Sequence, residues 1–268
     1  MLGAIAGDII GSRFEFAPLK TNWDEFDLFT ERSFFTDDTV MTIAVADAFI
    51  NSSDKKGFSD KLVDLMHDYG HRWPDAGYGG RFSSWIRQRK REPYNSFGNG
   101  SAMRVSPAGW LAKSLAEAEE LAAASASVTH NHPEGIKGAQ AVAGAIYLGR
   151  EGKSKQVIRD YVSSRHNYDL SRSLNKIREN YCFDETCQGS VPEAIIAFME
   201  SSNFEDAVRK AVWLRGDADT QAAIAGSIAE AFYGGMPEHI ATKSLQMLDT
   251  SLYQKYLQWD SWLKERAE

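Results

Sequence analysis

The chain has 268 residues, 43% of them apolar, with fourteen Phe, ten Tyr and seven Trp, which is enough for one large domain with a sizeable core. A formal charge of −7 argues against coating of nucleic acid by basic stripes and against adhesion to anionic membranes. The two cysteines, Cys182 and Cys187, are too few for a four-thiolate zinc site or a disulfide framework, and they fit a reducing cytoplasm.

The opening stretch Met1 to Asp8 lacks a basic region and meets an acid too early for a signal peptide. No stretch reaches the ~18 uninterrupted apolar residues of a membrane span. Next, Glu15 stands between Phe14 and Phe16 in an apolar context, where a glutamate is either poorly buried or employed. Asp8, before an apolar pair, reads as a structural cap. Thr36-Asp37-Asp38-Thr39 then precedes a helix over Val40–Ile50, in which Val40, Ile43, Ala44 and Phe49 fall at helical spacing. Gly77-Tyr78-Gly79-Gly80 marks a loop, and Arg87-Gln88-Arg89-Lys90-Arg91 reads as a solvated helix face.

A second glycine loop, Phe97-Gly98-Asn99-Gly100-Ser101, follows. Leu115–Val128 is rich in Ala and Glu, both good helix formers. Asn131 and Pro133 place the His130/His132 pair in a turn before a helix over Glu134–Leu148, whose Gly138, Ala141, Gly144 and Ala145 permit close helix contact. Cys187 to Pro192 reads as a loop with Ser190 capping the next helix, Val191–Met199. Helices over Phe204–Leu214, Ala218–Phe232, Pro237–Leu248 and Leu252–Arg266 complete the series, the last with Tyr256, Trp259 and Leu263 on one face. Strand patterns are poor, and the expectation is a single all-α domain over 1–268.

Two acid-and-hydroxyl clusters stand out, Thr36-Asp37-Asp38-Thr39 and Gly216-Asp217-Ala218-Asp219-Thr220, each at the start of a helix. Either alone reads as an N-cap. One cap needs one acceptor, however, and here each helix start carries two carboxylates. Converging acids would raise one another's pKa values, and divalent cations with a preference for oxygen remove that repulsion. His67-Asp68 invites comparison with metal phosphohydrolases of the His-Asp type, but no histidine precedes His67 to complete the ligand set. Phe97 and Tyr181 read equally as adenine platforms and as core residues.

The order Gly-Asp-x-x-Gly-Ser-x-x-Glu (ending at Glu15), Thr-Asp-Asp-Thr, Gly-Asn-Gly-Ser-Ala-Met-Arg (ending at Arg104), Thr129-His130 and Gly-Asp-Ala-Asp-Thr resembles the ADP-ribosylglycohydrolases, from about Ala4 to Gly234. The resemblance implies a compact all-α domain of the ADP-ribosylglycohydrolase type. It also implies two divalent cations, Mg²⁺ or Mn²⁺, held by Thr36, Asp37, Asp38, Asp217, Asp219 and Thr220. Glu15 and Asp38 become the catalytic residues by the same analogy. The substrate-binding residues become Ser96, Phe97, Gly98, Asn99, Gly100, Ser101 and His130, with His132 structural. The implied activity is metal-dependent cleavage of the glycosidic bond between ADP-ribose and an acceptor on a protein or a small O-linked conjugate. Ser96 to Val105 is closer to the branch that cleaves O-linked ADP-ribose, and serine oxygen and arginine nitrogen both stay open as acceptors. The alternative is a non-catalytic ADP-ribose binder or a structural, crystallin-like member. The complete acid set favours the enzyme.

Overall fold

In the computed structural model, which describes residues 1–52 and 54–266, the regular elements are fifteen α-helices and one 3-10 turn, Ser12–Phe14. Of the expected domain span, Ser53, Ala267 and Glu268 lie outside the described residues. The first part of the chain forms α1 (Leu2–Gly11), α2 (Asp37–Ile50), α3 (Lys55–Arg72), α4 (Gly80–Arg87), α5 (Gly100–Met103), α6 (Ser106–Leu111), α7 (Leu115–Ser127) and α8 (Pro133–Arg150). The rest forms α9 (Lys155–His166), α10 (Leu174–Arg178), α11 (Cys187–Met199), α12 (Phe204–Trp213), α13 (Ala218–Tyr233), α14 (Glu238–Gln246) and α15 (Thr250–Glu265). Among the described residues the nearest thing to a sheet is one antiparallel bridge, Gly98 to Thr186. No helix among them is long and apolar enough to cross a membrane. The all-α expectation is met in one compact domain.

Small residues decide which helices meet. Gly3, Gly7 and Gly11 recur every fourth residue and so share one face of α1. A Cβ at these positions would stand 2.3, 2.0 and 2.5 Å from the carbonyl oxygens of Gly226, Ala222 and Ala218 on α13. Only bare glycines let the two backbones touch along this seam. At the centre, α8 packs against α5, α6, α7, α9, α11 and α13. Its Gly138 meets the Cys187 sulfur (2.5 Å from a built Cβ) and its Gly144 meets the Tyr161 hydroxyl (2.0 Å). Trp259 of α15 is 2% exposed, so the C-terminal helix spends its aromatic face inside the molecule.

Two local expectations need correction. Ser190 is not a cap: α11 begins at Cys187, capped by Thr186, whose hydroxyl accepts from Gly189 N, while Ser190 Oγ donates back to the Thr186 carbonyl at 2.7 Å. The basic run is not a helix face either. Helix α4 ends at Arg87, Arg89 turns into the left-handed region at φ 48°, and Arg91 reaches back to Asp60 and Asp64 of α3.

Candidate active site

The early acids owe their position to Asp8. This carboxylate is fully buried on α1, and four donors from one turn converge on it. Its Oδ2 accepts from Thr36 N (2.9 Å), Thr39 N (3.1 Å) and Thr39 Oγ1 (2.5 Å), and its Oδ1 accepts from Thr36 Oγ1 (2.8 Å). Burial pushes Asp8 up to about 6 against the pull of these bonds. Asp8 is thus a cap, but for the start of α2 rather than for its own helix. Thr36 Oγ1 in turn accepts from Asp38 N at 3.3 Å, and Asp37 N donates to Ala76 O at 2.7 Å.

The late acids arrive at the same end because α13 lies along α1. Thr220 Oγ1 donates to Asp38 Oδ2 at 3.1 Å, a bond between residues 182 positions apart. Asn99 of the second glycine loop donates to Asp217 Oδ2 at 2.7 Å and to Ser190 Oγ at 3.1 Å. Glu15, Asp217 and Asp219 each offer an oxygen within 4.8 Å of the others. The two clusters therefore share one small volume.

The electrostatics follow. Asp37, Asp38 and Asp219 are raised well above the ordinary carboxylate range, by burial first and then by neighbouring acids. Asp217 is also raised by burial, against hydrogen bonds to Asp219 and Asn99. Glu15, half-buried and facing Asp217 and Asp8, is pushed up to about 7, burial being the largest cause. Asp38 Oδ1 is buried without a hydrogen-bond partner. An all-oxygen donor set that repels itself, with one buried carboxylate oxygen unspent, fits hard divalent cations.

Above the acids lies a cavity of about 190 Å³. Glu15, Asp37, Asp38, Asp217, Asp219 and Thr220 line it, as do Ser96, Gly98, Asn99, Gly100 and His130. Three sequence-predicted residues do not. Thr36 lies beneath the acids with its hydroxyl on Asp8. Ser101 is fully buried behind the loop and donates to Gly135 O at 2.7 Å. Phe97, 40% exposed, packs on His132 outside the cavity, with ring centroids 5.2 Å apart. Tyr181 is a packing residue, its hydroxyl donating to Gly189 O at 2.8 Å. His132 caps α8 by accepting from Glu134 N at 3.1 Å, a structural role.

Sequence reasoning missed the opposite wall, formed by Gly77, Gly79, Gly80, Arg81 and Tyr94, and it gave Arg104, Phe183 and Glu185 no role. The signal was present in Gly79-Gly80, where a Cβ would meet nothing within 4 Å. Packing does not require glycine at those two positions, and their bare backbone borders the cavity. Phe16, 83% exposed beside Glu15, stacks on Phe183 across the rim at 6.0 Å. Both cysteines are free thiols; buried Cys187 donates to Gly98 O at 3.1 Å and braces the second glycine loop.

The sequence model of the ADP-ribosylglycohydrolase family matches residues 1–266. The ADP-ribosylarginine hydrolase Tri1 of Pseudomonas putida (strain GB-1) is 28% identical, over 97% of this chain and 78% of that protein. The ADP-ribosylhydrolase ARH3 of Homo sapiens is also 28% identical, over 76% of this chain and 72% of its own length. Among solved structures, a chain of an ADP-ribosylglycohydrolase-related protein complex superposes with a TM-score of 0.66 at 24% identity, covering 95% of this chain and 96% of that one.

Proposed function

The chain belongs to the ADP-ribosylglycohydrolase family, and on that premise we propose that it hydrolyses the bond between C1″ of ADP-ribose and an acceptor, releasing ADP-ribose. The acceptor is a serine or arginine side chain of a modified protein, or the oxygen of a small conjugate. The observation that carries this reading is the meeting of the early and late acids at one cavity walled by glycine backbone. The two free thiols accord with a cytoplasmic setting.

We assign a pair of divalent cations, Mg²⁺ or Mn²⁺, to Thr36, Asp37, Asp38, Asp217, Asp219 and Thr220. When bound, such ions supply Lewis acidity toward substrate oxygens and keep the carboxylates ionised. Thr36 is suited to this task because its hydroxyl donates to Asp8 and accepts from Asp38 N, which leaves its second lone pair for another partner. Asn99 and Thr220 hold Asp217 and Asp38 in place through one oxygen each.

Cleavage builds positive charge at C1″, and Glu15, a cavity carboxyl outside the assigned ion ligands, favours that charge when ionised. Glu15 sits at the cavity edge, where burial and the facing Asp217 and Asp8 push its carboxyl up to about 7 in the ion-free site. Ionised, it can take a proton from water, and protonated it can give one to the departing acceptor. Gly98 and Gly100 let the distal ribose and diphosphate approach the backbone, with Ser96 beside them.

The test is a substrate panel of arginine-linked, serine-linked and acetyl-linked ADP-ribose, each with Mg²⁺, with Mn²⁺ and with chelator. Free ADP-ribose is expected from at least one linkage with an ion present and from none with chelator. No release from any of the three would remove the enzyme reading.

A further inference from the structure

Arg104 is 1% exposed, and among the described residues no carboxylate pairs with it. An uncompensated buried cation is costly, so its presence asks for a purpose. Its Nη2 donates to Ser125 O at 2.8 Å and to Thr129 Oγ1 at 2.9 Å. Thr129 is fully buried, and its Oγ1 lies 2.8 Å from His130 Nδ1. His130 Nε2, at the other end of the ring, faces the cavity. A Cβ built on Gly100 would be 3.1 Å from Nε2, and one on Gly98 3.6 Å.

These contacts have a direction. A guanidinium only donates, so Thr129 Oγ1 must accept from Arg104. The threonine keeps its own proton, and among the described residues the one acceptor within reach of that proton is His130 Nδ1. Nδ1 is then unprotonated, and the ring proton sits on Nε2.

We propose that Arg104 is a positioning residue: acting through Thr129, it fixes His130 as a neutral ring with its proton on Nε2, so that the cavity presents a hydrogen-bond donor there and selects an acceptor oxygen of the bound ligand. Burial, with Arg104 and Arg81 nearby, holds His130 well below its ordinary range and keeps a second proton off the ring. This proposal rests on ADP-ribose being the ligand only for the identity of that oxygen. The absence of side chains at Gly98 and Gly100 leaves the donor uncovered.

The experiment reads the His130 ring nitrogens by long-range ¹H–¹⁵N correlation in ligand-free, metal-free protein. His130→Asn assigns the signal among the six histidines. Wild type is expected to show a single tautomer protonated at Nε2. Arg104→Met frees Thr129 Oγ1 to accept from Nδ1–H, and the ring becomes a mixture or inverts. Thr129→Val removes the link and breaks the single-tautomer signature, whereas Thr129→Ser retains it. Should Arg104→Met fail to fold, the Thr129 pair carries the test.

ADP-ribose and ADP are titrated in parallel. Roughly a tenfold loss of affinity in Thr129→Val is expected, the scale of one hydrogen bond. Loss on both ligands assigns the acceptor oxygen to the ADP half, and loss on ADP-ribose alone assigns it to the distal ribose; either upholds the relay. A wild-type ring protonated on Nδ1 overturns it, and so does a Thr129→Val protein with both spectrum and affinities unchanged. Wild type that binds no ADP-ribose at all would instead strike the functional reading, since the spectrum is taken without ligand.

Discussion

Replacing Asp8 by Asn separates the tethering of the early acids from their chemistry. The carboxylate accepts four bonds, three on Oδ2 and one on Oδ1. An amide oxygen in the Oδ2 place keeps the three, and the amide NH₂ then faces Thr36 Oγ1 in the Oδ1 place. The threonine must reverse, accept from the amide, and turn its own proton toward the acids, where it opposes a cation. Loss of one charge-assisted bond costs about 1.5–3 kcal/mol, which a folded domain tolerates. Loss of an oriented outer partner of a metal ligand typically weakens metal binding by about 10–100-fold. Asp8→Ala differs, since it leaves four donors without their acceptor at about 1–3 kcal/mol each, comparable to the whole stability of a domain. Expected, then, are a folded Asp8→Asn protein with Mn²⁺ affinity reduced by one to two orders of magnitude and an Asp8→Ala protein that does not accumulate folded. Mn²⁺ calorimetry and urea unfolding in chelator measure the two effects. Asp8→Asn that binds Mn²⁺ within twofold of wild type would refute the reasoning.

Three further outcomes are expected. Asp219→Asn should abolish ADP-ribose release yet unfold later than wild type in chelator, because it relieves repulsion from Asp217 and Asp38; retained turnover would remove Asp219 from the ligand set. Gly7→Ala puts a methyl 2.0 Å from the Ala222 carbonyl oxygen, so the α1–α13 seam must open, at a cost of about 1–3 kcal/mol or more read as a lower urea midpoint. His166, remote from the cavity and 4% exposed, is pushed down to about 4 by burial, with Glu119 opposing. Its folded-state pKa lies below the unfolded value of 6.5, so its contribution is intact above pH 6.5 and is lost as pH falls from there toward 4. About 2 kcal/mol should be gone by pH 5, and a His166→Gln protein whose stability falls equally between pH 7.5 and 5 would contradict this.

What could be read from the sequence depended on whether a residue's chemistry is local. Helices α2, α7, α8 and α11 to α15 have apolar or small-residue periodicity, and their spans were legible to within a few residues. The start of α11 was not, because Thr186 rather than Ser190 supplies the cap. Helix α1 is buried on every side and so shows no stripe, although its glycines form the seam. Helices α3, α9 and α10 are mainly polar and take their stability from packing that no short window reveals. The acids stand out as residue types, but the contact between Thr220 and Asp38 spans most of the chain and has no local signature. The wall at Gly77 to Gly80 reads from the sequence as a loop alone, because backbone exposed to a cavity leaves no chemical mark. Phe97 and Ser101 illustrate the opposite error, in which neighbours of a pocket loop point elsewhere.

The glycine seam makes the two halves of the acid set interdependent. Neither the first two hundred residues nor the last fifty hold a complete set of oxygens, so neither stretch alone can carry the whole site. A ligand that touches both sides grips only the closed seam and finds nothing comparable on an unfolded chain. Such a ligand adds stability in proportion to the logarithm of its excess, about 2.7 kcal/mol at a hundredfold over its dissociation constant. Scarcity of that ligand would therefore silence the protein and loosen it in the same step.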